Sequence, residues 1–311
     1  MNARTRIAAL ASLSTLAIAG LTACGDDNAT DPASADGSTT QAADPDDDSD
    51  DGSGDGSGDD SGDPSESDSE DAGTTTVPVY FVADTPTGPR LFREFRKVES
   101  DNPAEEALAL MTAGDALDPD YSSMFPSDGK TFTSIDVGDD MITVGLPDKS
   151  WTTASDGMTD DDARLAAQQL VYTLQGVAQK RVPVSFTLDG APADLFGLAG
   201  QVSNDPEIEI RALVNVTSPE EGATVGDTFT ASGVSSSYEA TTPWQIRQGD
   251  TVVKEGFATA EGWMDKLFPW ETEVDVSDLP AGDYTFVATT DDASDGEGGG
   301  PTVDTKSITI K

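Results

Sequence analysis

Phe268-Pro269-Trp270-Glu271-Thr272-Glu273-Val274-Asp275-Val276 puts Phe268, Trp270, Thr272, Val274 and Val276 at every second position. Acids and a proline fill the places between them. A period of two is the signature of a strand with one buried face. Downstream, the turn Leu279-Pro280-Ala281-Gly282-Asp283-Tyr284 leads to Phe286 and Ala288. Upstream, short apolar runs recur: Leu213, Val214 and Val216, then Phe229 and Ala231, Trp244 and Ile246, Val252 and Val253, and Gly256-Phe257. Ser218-Pro219-Glu220-Glu221-Gly222 and Gln248-Gly249-Asp250 punctuate them as turns, and no helical period intervenes. Short strands at this spacing predict an all-β sandwich over residues 211–311.

Residues 75–200 have a different rhythm. Val77–Val82 and Arg90–Val98 are β-rich runs. Asn102-Pro103-Ala104-Glu105 then signals a helix start, with Asn as N-cap, Pro at the first helical position and Glu at the capping-box position. Ala104, Ala107, Leu108 and Met111 follow at helical spacing, and Gly114 suits the end of the helix. Phe132–Val137, Gly138-Asp139-Asp140 and the alternating Ile142, Val144 and Leu146 form a hairpin pattern. Thr159 before Asp160-Asp161-Asp162 predicts a capped second helix whose acids complement the helix dipole. Its stripe is Ala163, Ala166, Leu170, Val171, Leu174 and Val177. Val182, Val184, Phe186 and Leu188 close the segment as a strand. The expected fold is α+β, with helices layered on one small sheet.

Both segments resemble known families. The helix opening on Asn102-Pro103, the hairpin around Gly138-Asp139-Asp140 and the unit ending Phe186-Thr187-Leu188-Asp189-Gly190 resemble the GerMN domain of sporulation and spore-germination proteins. That resemblance implies an envelope-associated binding or assembly module and brings no catalytic residues with it. Leu279-x-x-Gly282-x-Tyr284 resembles the tyrosine corner of immunoglobulin-like sandwiches, and Trp244 fits their core tryptophan. With Ser218-Pro219, Gly222-Ala223-Thr224-Val225, Tyr238-Glu239-Ala240 and Gly256-Phe257, the second segment is similar to the immunoglobulin-like domain of bacterial spore germination proteins. It departs in the Gly- and Asp-rich stretch from Asp291 to Gly300.

The N-terminal part says where such a chain would live. Arg4 and Arg6 precede an uncharged apolar stretch, Ile7–Gly20, followed by Leu21-Thr22-Ala23-Cys24. The stretch is short for a membrane-spanning helix, which needs roughly 20 apolar residues. It resembles a secretory signal (residues 1–23) ending in a lipobox. The resemblance implies a diacylglycerol on Cys24 and a place on the outer face of the plasma membrane, in the cell envelope. Residues 24–74 are rich in Asp, Ser and Gly, and from Asp26 to Asp71 they contain no Lys or Arg. Such a segment cannot bury enough surface to offset its ordering entropy, so a disordered acidic linker is expected. Asp47-x-Ser49-x-Asp51-Gly52 imitates an EF-hand start, but Gly58 stands where the bidentate Glu belongs.

Composition removes whole classes of chemistry. The chain of 311 residues has one cysteine, no histidine and a formal net charge of −42. Imidazole-dependent nucleophiles are excluded, and so are His/Cys metal sites. So acidic a chain has no electrostatic route to nucleic acid, because phosphate contacts need clustered Lys and Arg. No cofactor is expected. The leading expectation is a non-enzymatic, lipid-anchored module that binds a protein or cell-wall partner. The alternatives are a carboxylate-dependent hydrolase of wall glycans and a calcium-dependent adhesion module. Three candidate partner-binding residues stand out. Trp151, in a polar loop, either folds back onto the sheet edge or offers an aromatic face to a partner. Trp263, in Glu261-Gly262-Trp263-Met264, is either a lid over the core or a binding aromatic. Glu239, between Tyr238 and Ala240, either pairs structurally or contacts a ligand.

Overall fold

The computed structural model describes residues 73–291 and 299–311. The signal segment, Cys24 and all but the end of the linker lie outside the described residues, as do Asp292, Asp295 and Glu297. Among the described residues no helix is long and apolar enough to cross a membrane. Apolar side chains gather in two main cores, one running from Val77 to Ala212 and the other from Val214 to Ile310.

The first domain opens with a long antiparallel ribbon, β1 (Thr74–Thr85) and β2 (Gly88–Glu99). Helix α1 (Pro103–Ala113) starts at the expected proline and stops at Gly114, whose φ of 67° is the left-handed C-cap. The Asn102 side chain makes no capping bond, contrary to the capping-box pattern. Glu106 instead turns back to accept the Glu99 N–H at 2.9 Å, tying the helix to the ribbon it follows. The hairpin β3 (Ser134–Val137) and β4 (Ile142–Gly145) is as expected, and β4 pairs in parallel with β5 (Val184–Leu188). Short strands β6 (Ala191–Ala193) and β7 (Gln201–Val202) complete that sheet, and a single turn, α3 (Glu207–Ile210), leads out.

Two ladders therefore replace the one small sheet expected, because β1 and β2 pair with each other along their whole length and leave the second sheet to β3–β7. Helix α2 (Asp160–Ala178) covers the ribbon. Its start carries a full capping box, with Thr159 and Asp162 exchanging bonds, so the three acids there act as a helix terminus. Gly176 lets α2 approach closely, since a Cβ would lie 2.5 Å from Pro78. The ribbon is buried on both faces. Val77, Val79 and Phe81 enter the main core, while Tyr80, Val82 and Leu91 meet Leu165, Tyr172 and Ile210.

The second domain is the sandwich. One sheet has the order β13 (Phe268–Asp275), β10 (Thr228–Ser235), β8 (Val214–Ser218). The other runs β12 (Thr251–Thr259), β11 (Thr241–Gln248), β14 (Gly282–Thr289), β15 (Val303–Ile310), β9 (Ala223–Val225). Trp244 stacks on Phe286 at 6.3 Å inside it, and Gly256 gives its ring room, since a Cβ there would lie 2.4 Å away. The Tyr284 hydroxyl donates to the Pro280 carbonyl at 2.8 Å, the bond of a tyrosine corner.

Candidate functional site

Two polar or aromatic clusters lie outside the ordinary cores. The first sits where the domains meet. Strand β15 has its buried register at Asp304, Lys306, Ile308 and Ile310, so two charges occupy core positions. Lys306 Nζ donates to Asp118 at 2.5 Å, to Asp304 at 3.2 Å and to the Tyr121 hydroxyl at 2.9 Å. Asp304 further accepts from Tyr121 at 2.8 Å, Asn215 Nδ2 at 3.0 Å and the Val216 N–H at 2.6 Å. Asp118 also accepts the Asp120 N–H at 2.9 Å. Asn215 reaches back to take the Arg93 N–H at 2.8 Å, and buried Glu94 holds the amides of Leu117 and Asp118.

Electrostatics in this cluster follow from burial. Burial works against the Lys306 charge, but Asp304 and Asp118 outweigh it and raise its pKa overall. Burial, then Asp304 and Asp118, push the Tyr121 hydroxyl well above its ordinary value. Burial also lifts the Asp118 carboxyl against the pull of Lys306. A glycosidase pair needs two carboxylates facing a cleft at roughly 5–9.5 Å. Here the two acids instead share one ammonium, and all four of their oxygens already accept protein hydrogen bonds. A cleft of about 330 Å³ opens beside them, with Asp84, Asp120 and Asp304 on its walls. The cluster is a joint between domains.

The second cluster lies where loops 236–240 and 260–267 of the sandwich converge. Met264 N donates to Ser236 Oγ at 3.0 Å, Ala260 N to the Ala240 carbonyl at 2.8 Å, and Asp291 N to Ser237 Oγ at 2.7 Å. These bonds bring three connections to one place. Tyr238 and Trp263 meet with centroids 5.1 Å apart and planes at 77°. Both stay open to solvent, at 44% and 38%, and Met264 beside them is 66% exposed. Glu239 (φ 51°), Ala240 (φ 59°) and Met264 (φ 85°) all adopt left-handed backbone. Non-glycine residues in that region store on the order of 1–3 kcal/mol each and persist only where the surroundings hold them.

Of the three aromatic and acidic candidates, the structure brings Trp263 and Glu239 into this one cluster. Trp151 is elsewhere and fully buried, ringed by Phe125, Phe132 and Phe196 at 5.0–6.1 Å. It offers no face to a partner. The polar loop around it is explained by Asp148, which caps the turn through the Ser150 hydroxyl and amide and is held by Lys130, its pKa lowered to about 2. Among the described residues no group of three or more acidic side chains is placed to hold a metal ion.

Comparison with known proteins agrees with the fold. Residues 78–194 match the family model for sporulation and spore germination, and residues 213–297 match that for the immunoglobulin-like domain of bacterial spore germination. Each match covers less than half of the chain. Among solved structures, part of the chain is similar to the tandem GerMN domains of the sporulation protein GerM from Bacillus subtilis. That match has 15% identity and a TM-score of 0.35, and it covers 43% of this chain and 46% of that one. A putative lipoprotein from Clostridium perfringens matches at 14% identity and TM-score 0.27, over 42% of this chain and 89% of that one. Fibronectin(III)-like modules of Clostridium thermocellum CbhA match at 16% and 0.22, over 32% and 94%. At these TM-scores the likenesses carry no functional argument. No curated protein matches the sequence.

Proposed function

We propose that this protein is a lipid-anchored, extracytoplasmic binding module without catalytic activity, held to the membrane through Cys24, and that it contacts a protein or cell-wall partner with the loop cluster around Trp263. One observation carries the reading. Trp151, Trp244 and Trp270 are buried, whereas Trp263 stays in the open on a loop whose backbone is strained and tied down by hydrogen bonds. Large aromatics fixed at a surface are the usual anchors of recognition. The domain families, which are those of spore germination, support a binding role over an enzymatic one. The test is retention on isolated cell envelopes of the chain carrying Cys24→Ala, so that no lipid holds it, compared with the same chain carrying Trp263→Ala as well. Loss of retention with an unchanged melting temperature supports the reading, and undiminished retention refutes it. Metabolic labelling with a fatty-acid analogue, abolished by Cys24→Ala, tests the anchor.

A further inference from the structure

We infer that the loop cluster of the immunoglobulin-like domain receives a cationic polypeptide segment, with a Lys or Arg side chain held at the Tyr238–Trp263 corner. This deepens the proposed function and rests on it. The first argument is the shape of the aromatic surface. A sugar ring stacks on a flat platform, which two rings at 77° do not provide. Rings that stand nearly perpendicular form adjacent walls, and their faces attract a compact cation. Met264, 66% exposed, adds a soft apolar wall for the stem of a long basic side chain.

Charge is the second argument. The two loops carry Glu239, Glu261 and Asp265, and none of the three is in an ion pair among the described residues. Their one basic residue, Lys266, lies over the Phe268 ring at 4.7 Å and not over the Tyr238–Trp263 pair. Among the described residues no cation lies over either ring, and the loops that form the corner are acidic. The chain's Asp-rich stretch cannot fill it, since acids would meet acids. A membrane surface is disfavoured for the same reason, because anionic headgroups repel this face. A basic segment satisfies both the rings and the carboxylates at once.

The test titrates the full chain with a short peptide alternating lysine and glycine, followed by tryptophan emission. Three of the four tryptophans are buried, so solvent-sensitive emission reports Trp263, and peptide held on the Asp-rich stretch leaves it unchanged. A saturable change in emission is expected. Tyr238→Ala, or Glu239→Gln with Asp265→Asn, should each weaken it about tenfold, the scale of a desolvated cation–π contact or of a few charge contacts. All of these side chains are exposed, and an unchanged melting temperature confirms folding. Absence of an emission change, or affinity indifferent to both variants, overturns the inference. A change produced by an N-acetylated glucosamine oligomer but not by the peptide also overturns it, while leaving the proposed function standing. Undiminished envelope retention by Trp263→Ala removes both.

Discussion

Replacing Lys306 by methionine isolates the energetics of the domain joint. Lys306 and both its acids are almost fully buried, at 4%, 1% and 1% side-chain exposure. Methionine fills similar volume but withdraws the ammonium from Asp118, Asp304 and Tyr121 together. Asp304 keeps three donors, whereas Asp118 keeps only the Asp120 amide. An uncompensated buried charge costs about 3–5 kcal/mol when one partner of such a pair is removed. For a folded body of this size that corresponds to a fall in Tm of roughly 6–20 °C. Urea unfolding of the full chain, followed by tryptophan emission, measures it. Adding Asp118→Leu to Lys306→Met should recover most of the loss, because replacing both partners by apolar groups is close to neutral. A single variant that loses less than about 1 kcal/mol, the range of an exposed pair, would refute the reasoning.

Three further outcomes follow from other parts of the molecule. Trp151→Ala empties the centre of a four-ring cluster and should cost about 3–5 kcal/mol by denaturant titration, while leaving envelope retention intact once the protein is folded. Thr159→Ala removes the half of the α2 capping box made by the Thr159 hydroxyl, leaving the backbone N–H to Asp162 in place, and should cost about 1 kcal/mol in the same assay. Alkaline pH should destabilise the protein. Lys306 and Tyr121 hold their protons in the fold beyond their ordinary values of 10.5 and 10.0, so the folded state binds more protons than the unfolded chain there. Stability is complete below about pH 10 and is then lost as pH rises, at up to about 1.4 kcal/mol per pH unit for each group. Melting curves across that range should show a shallower slope for Tyr121→Phe.

Much of this architecture was written in local patterns. Alternation at Phe268–Val276, the proline at Pro103, the αL glycine at Gly114 and the Thr159–Asp162 box each encode a short-range preference, and each is realised in place. What sequence reading missed depends on partners far along the chain. Of the two readings of Trp151 the inward one holds, but the ring's surroundings are three phenylalanines that only tertiary folding gathers around it. The meeting of Tyr238 with Trp263 could not be read from two loops 25 positions apart (263 − 238). The joint did leave one trace. Asp304 and Lys306 share the period-two face of Ile308 and Ile310, and charges on an apolar register mark either a strand edge or a buried pair.

The residues of that joint are also far apart in time. Asp118 and Tyr121 wait for partners that lie 183–188 positions later in the chain. In synthesis from the N-terminus the first domain therefore emerges with its half of the contact incomplete, and only delivery of β15 closes it. A product cut short before Asp304 would leave Asp118 and Tyr121 without their Lys306 and Asp304 partners. Completion of synthesis is thus read out physically, as the difference between an incomplete acidic contact and a sealed one.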